Sequence, residues 1–405
     1  VKNYHRNIGL NYLYTSISSI NLTHGLWMIY LALRGFSLLE LGLLEGIYHV
    51  TSLLMEVPTG VVADLWGRKA SRIAGRCTAV FALVIMFFSQ SFLLQAIAFI
   101  ATALGNNLES GAGDALVYDS LVMDSQEGRY MHVAGRQELV YQLTAIVAFA
   151  LGGFIALESY GLLFGLSAFF AALAAVIAIG FREPPVGHRE QQEVGTRLLI
   201  RIGRSMKNQV SESVVIVWMQ KRIFFFIVFS ELLFCFLTVL FFYLQNYWIS
   251  LGFTEFHIGI IFSANAIVAG LTAWRSPQIE EAIGERGVLT IMPLLVLACL
   301  WGVVAGPLGS LFYIFAGFVE GMLITAIGTY LNRLIPSAQR ATILSFQSMV
   351  FSLFMIILFP LVGLLADRVS IASGFQFMAV LATILVGTYL GVLKPWKIGN
   401  YDQTR

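Results

Sequence analysis

The chain has 405 residues, 58% of them hydrophobic and 12% charged, with a net charge of +2 and a mean hydropathy of +0.79; an ordinary soluble domain is about 25% charged. That balance excludes a water-soluble fold and gives nucleic-acid binding no support. Cys77, Cys235 and Cys299 lie in apolar stretches without metal-like spacing, so they read as small hydrophobes, and neither a metal, a redox centre nor another cofactor is expected.

About 20 apolar residues carry a helix across the hydrocarbon of a membrane, where the backbone must satisfy its own hydrogen bonds. The apolar runs predict twelve spanning helices, at 10–33, 40–63, 71–89, 92–120, 136–157, 160–181, 223–247, 255–275, 286–305, 309–334, 340–365 and 371–393. The first helix places Asn11, Ser18, Asn21 and Gly25 on one side, with His24 close by, as suits a cavity-lining element. The second carries Glu45, His49, Ser52 and Glu56 on one narrow face, and Glu45 and His49, one turn apart, are placed to share a proton. That face reads either as a proton-coupling site or as a structural hydrogen-bond network.

The loop that follows runs Gly60-Val-Val-Ala-Asp64-Leu-Trp-Gly67-Arg68-Lys69. A glycine permits close helix approach or a tight turn, and Asp64 can bond the basic side chains or a neighbouring helix N-terminus. The fourth helix brings Asn107, Ser110 and Asp114 to one face, points Glu109 elsewhere, and ends near Asp119. Between the sixth and seventh helices lies the only long polar stretch, 182–222, which contains Pro184, Pro185 and Gly187. It divides the chain into an N-terminal six-helix bundle at 1–181, a cytoplasmic linker with a candidate amphipathic helix from Thr196 to Trp218, and a second bundle at 223–405.

In the second bundle the seventh helix aligns Glu231, Cys235, Thr238, Phe242 and Gln245, and the tenth places Glu320 deep in an apolar run. An ionisable group in mid-membrane costs at least about 2.5–3.5 kcal/mol on insertion scales, so it marks a cavity or a partner. The acids within the spans outnumber lysine and arginine, which fall at the helix ends. The predicted cavity is therefore electronegative or protonated, and it suits cationic or neutral solutes. With both termini in the cytoplasm, 23 of the 25 Lys and Arg residues fall on the cytoplasmic side and only Arg34 and Arg368 outside.

The Gly60–Lys69 loop resembles the signature loop of the major facilitator superfamily. A degraded copy, Glu281-Ala-Ile-Gly284-Glu285-Arg286, follows the eighth helix. Gly153-Phe-Ile-Ala and Gly363-Leu-Leu-Ala end helices five and eleven, and Pro336–Ser345 resembles the family's entry to helix eleven, with Arg136 its counterpart at helix five. The resemblance covers nearly the whole chain. It implies an all-α integral membrane fold of two pseudo-symmetric six-helix bundles, alternating access around a mid-membrane site, and an Asp64, Arg68 and Asp119 cluster that latches one state. Drug-exporting branches carry an arginine where Asn107 stands and a Gly-Pro pair where Gly152-Gly153 stands, so the chain departs from them at both places.

The expectation is a monomeric, proton-coupled exporter of lipophilic cationic or neutral small molecules, surrounded by lipid in a bacterial inner membrane. Glu45, His49, Asn107, Glu109, Asp114, Glu320, Asn21, His24 and Glu231 are its candidate contacts with proton or solute. The alternatives are an importer or symporter of a small nutrient, a lipid flippase, or a non-transporting receptor. No nucleophile–base set or nucleotide loop points to an enzyme.

Overall fold

A computed structural model describes residues 4–185, 221–334 and 340–396. The described residues form helices joined by short turns, with no strand. In chain order these are α1 (His5–Ser18), α2 (Trp27–Leu33), α3 (Leu38–Trp66), α4 (Arg68–Phe88), α5 (Phe92–Met123), α6 (Tyr130–Glu158), α7 (Tyr160–Ile179), α8 (Lys221–Ser250), α9 (Glu255–Gly302), α10 (Gly309–Leu334), α11 (Arg340–Arg368) and α12 (Ile371–Trp396). Ten of the described helices are long and apolar enough to cross a membrane. Large side chains such as Phe88, Leu93 and Ile357 stand exposed on them, as lipid requires and water would penalise.

Three predicted helices differ from what is observed. The expected helix 10–33 is two pieces: it starts at His5, stops at Ser18, and resumes only at Trp27. The expected helices 255–275 and 286–305 run together as α9, bent where Gly284 takes φ 72° and ψ 161°. Gly67, between α3 and α4, takes φ 94° and ψ 153°. Backbone of that kind is essentially reserved for glycine. The two copies of the repeated loop therefore turn at the same glycine in the same way.

The chain divides into two compact units, one of Val1–Gly35 with Leu43–Ser211, the other of Phe36–Gly42 with Glu212–Arg405. The division falls inside the polar 182–222 stretch, and the candidate amphipathic helix there lies outside the described residues. The first turn of α3 belongs with the second unit. In the first unit, α4 and α5 cross at Gly75 and Gly105: a Cβ on Gly75 would stand 2.8 Å from the Gly105 carbonyl oxygen, and one on Gly105 would stand 2.9 Å from that of Gly75. Tyr14, Leu116, Ala174, Ala178 and Phe181 pack as one core cluster of this unit. The second unit is more aromatic: Phe229 stacks on Tyr389 at 3.6 Å, and Trp248, Phe262 and Tyr313 meet at centroid distances of 5.5–5.8 Å.

Asp367, near the end of α11, accepts from the main-chain N–H groups of Leu38 and Leu39 at 2.9 and 2.8 Å, so a carboxylate caps the start of α3. Tyr243 of α8 donates to the carbonyls of Leu38 and Phe359 at 3.1 and 3.0 Å, tying the same turn to α8 and α11.

Candidate functional site

The signature loop forms a compact charged cluster in the first unit. Arg68 Nε lies 3.2 Å from Asp119 Oδ2, and Arg68 Nη2 lies 4.0 Å from Asp64 Oδ1. The two Glu183 oxygens accept from the main-chain N–H groups of Arg68 and Lys69, each at 2.8 Å, and so cap α4. Gly67 makes this possible, because a Cβ there would stand 2.9 Å from the Glu183 carboxyl carbon. Sequence reasoning missed Glu183, which sits 115 residues from Arg68 with nothing local to link them. The expected close helix approach at Gly60 is not found, since a Cβ added there would meet nothing within 4 Å.

Five residues into α4, Arg72 turns inward and is 2% exposed. Its Nε donates to Glu109 Oε1 at 2.9 Å and its Nη1 to Asn11 Oδ1 at 2.8 Å. Its guanidinium lies 3.9 Å from the Tyr14 ring centroid and 4.8 Å from that of Phe181. Tyr14 donates to Glu109 Oε2 at 2.6 Å, Arg76 Nε stands 3.7 Å from the same oxygen, and Asn11 donates to Gln137 at 2.6 Å. This corrects two expectations. Glu109 is the centre of an ion-pair network rather than an isolated acid, and a buried arginine does stand among the helices, because Arg72 follows its helix inward.

The expected Asn107, Ser110 and Asp114 face also divides. Asn107 and Ser52 clasp α5 to α3: the Ser52 hydroxyl donates to Asn107 Oδ1 at 2.9 Å, and Asn107 Nδ2 donates to the Ser52 carbonyl at 2.8 Å. Ser110 and Asp114 remain on an exposed strip of α5 with Asn106. A strip of that polarity is incompatible with lipid and belongs against water or protein.

Glu45 and His49 are both buried on α3, and Glu45 forms no hydrogen bond or ion pair with a described residue. On α8, Glu231 is 5% exposed and accepts from Gln347 of α11 at 2.6 Å, with no cation against it among the described residues. Four residues on, the Cys235 thiol donates to the Phe351 carbonyl at 3.5 Å. Glu320 is half-buried on α10 and has no hydrogen bond or ion pair among the described residues. Asn21 and His24 sit exposed in the gap between α1 and α2.

The family model of the Major Facilitator Superfamily matches residues 8–314. The uncharacterized MFS-type transporter YxaM of Bacillus subtilis (strain 168) is 23% identical over 386 residues, which cover 91% of each chain. Among solved structures, the nucleoside transporter NupG superposes with a TM-score of 0.75 at 15% identity, covering 97% of this chain and 100% of its own. A D-xylose–proton symporter superposes with a TM-score of 0.65 at 13% identity, covering 94% of each.

Proposed function

The chain belongs to the major facilitator superfamily and is an integral membrane transporter rather than an enzyme, and on that premise we propose that it is a proton-coupled exporter of lipophilic cationic or neutral small molecules. The observation that carries the coupling is the set Glu45, Glu231 and Glu320: three carboxyls on long apolar helices with no ion-pair partner among the described residues. A carboxyl so placed loads and releases a proton without first breaking an ion pair. Glu109 is removed from that set, because protonating it would leave Arg72 buried without its counter-charge. Asp114, with His49 at the buried face of α3, Asn107, Asn21 and His24, completes the candidates for contact with proton or solute. The Asp64, Arg68 and Asp119 cluster is assigned to gating. The solute moves as the protein alternates access, in a bacterial inner membrane with both termini in the cytoplasm, and the working unit is a monomer.

A second reading, uptake of a neutral solute together with a proton, draws on the nucleoside transporter and the sugar–proton symporter that share the fold. Everted vesicles loaded by respiration distinguish the readings. Ethidium should be moved in the direction of export, and a protonophore should abolish that movement. Glu231→Gln and Glu320→Gln should each cut gradient-driven flux at least tenfold while leaving solute exchange intact. Flux indifferent to the protonophore would end the coupling assignment.

A further inference from the structure

Helix α6 carries an unbroken exposed strip along one side. Leu139, Leu143, Val147, Leu151 and Phe154 are 48–58% exposed and recur every three or four residues, so they fall on a single face. The same face continues past the apolar run to Arg136, His132 and Arg129, all three exposed. Arg136 stands at the edge of the predicted span 136–157. By the helical rise, His132 lies about 6 Å and Arg129 about 10 Å beyond it, at the depth of the lipid headgroups and just outside them.

These bases differ from others near the helix ends in lacking an acid. Arg68 is met by Asp119, and Arg72 and Arg76 by Glu109. Arg136 and His132 form no hydrogen bond or ion pair with a described residue, and Arg129 bonds the neutral Gln126 at 2.8 Å. The first turn of α6 holds no acid. Glu138 accepts from Gln142 at 2.8 Å and falls on the opposite side of the helix from Arg136, and Asp124 accepts from the Tyr4 N–H at 3.2 Å. Glu127 is exposed in the turn before the helix and pairs with none of the three bases.

A soluble anion would use the bases and leave the apolar strip bare; a hydrocarbon chain would use the strip and leave the bases. A lipid with a negatively charged headgroup uses both. From Arg136 to Val147 the strip is about 16 Å long, close to half of the roughly 30 Å hydrocarbon thickness, which is the reach of an acyl chain in one leaflet.

We propose that this face of α6 is a binding site for an anionic phospholipid, its phosphate held by Arg136 and His132 with Arg129 at the rim, and one acyl chain lying along Leu139, Leu143 and Val147. A headgroup that carries its own ammonium is disfavoured, because that charge meets the same bases. The site requires only insertion in a membrane, so its failure would leave the transport reading untouched.

The full chain, purified in dodecyl maltoside and stripped of lipid, is heated in micelles doped with dioleoyl phosphatidylglycerol or dioleoyl phosphatidylethanolamine. A third sample receives glycerol phosphate, which has the anion and no chains. Phosphatidylglycerol should raise Tm by several degrees, and the other two should not. The double variant His132→Gln/Arg136→Gln should lose that rise. Arg136→Lys should keep it, as should Arg275→Gln, which removes an exposed cation from α9. In native mass spectrometry the parent should retain phosphatidylglycerol at least about fivefold over phosphatidylethanolamine, the preference that one basic side chain confers. Equal shifts by the two lipids, a rise that survives in the double variant, or a rise lost in Arg275→Gln overturns the proposal, and so does a rise with glycerol phosphate, which would mark a site for soluble anions. Should the double variant unfold on extraction, Arg136→Gln alone is read by the same mass-spectrometric ratio. That ratio should fall towards one; an unchanged ratio overturns the assignment.

Discussion

Arg72 and Glu109 show what a buried charge demands of its surroundings. The guanidinium is met by a carboxylate, an amide oxygen and two aromatic faces, so its desolvation is offset only while each partner stays. Replacing Arg72 by Met should cost about 3–5 kcal/mol, because Glu109 would then keep only the Tyr14 hydroxyl and, as its one cation, Arg76 at 3.7 Å. The double variant with Glu109→Gln should cost less than the sum of the single ones, as thermal unfolding of the four proteins in detergent would reveal. Strict additivity would mean that the two side chains are not energetically coupled. The pair was half legible in the sequence. The pattern of charges identified Glu109 as embedded, but counted Arg72 among the basic residues on the cytoplasmic side, since a basic residue five positions after a turn glycine looks like the edge of the membrane until the inward turn of its helix is known.

At the scale of elements, the junctions carry the specificity. Gly67 and Gly284 hold equivalent backbone conformations, and the repeated loop was readable because a glycine at that place has a backbone reason to recur. Gly67→Ala should destabilise the fold by about 1–3 kcal/mol. Glu183→Ala should remove about 1 kcal/mol through the lost cap on α4, and Asp367→Ala on α3 should remove less, its carboxylate being open to solvent. Unfolding midpoints of the three proteins check the order; a Glu183→Ala protein as stable as the parent would show that the cap carries no net stability. The break after Ser18 was illegible for the opposite reason. Ile20, Leu22, Leu26 and Trp27 carry apolar side chains through the polar Ser18–Gly25 stretch and no proline interrupts it, while the close approach of the Leu22 carbonyl to Gly152 joins positions far apart in the chain.

For the whole molecule, composition and hydropathy already dictated an all-helical membrane protein, and the repeated glycine loop pointed to its family. Helix count by apolar run gave a good outline because lipid permits so few structures, and it erred at the break after Ser18 and between 275 and 286, where the helix continues through a bend. The distribution of basic residues makes a topological prediction. Alkaline phosphatase fused after Gly35 should be active, and green fluorescent protein fused after Arg405 should fluoresce. The reverse pattern would invert the assignment of sides.

The exit of the chain from α7 has a mechanical consequence. Asn7 pairs with the Arg182 backbone in both directions, donating to its carbonyl at 2.8 Å and accepting from its N–H at 3.0 Å, and the next residue is Glu183 on α4. A pull on the chain beyond that point is therefore felt first at α1 and at the Gly67 turn, and α7 is shielded from it. Arg182 and Glu183, adjacent in the chain, thus fasten its exit to α1 and to the signature loop.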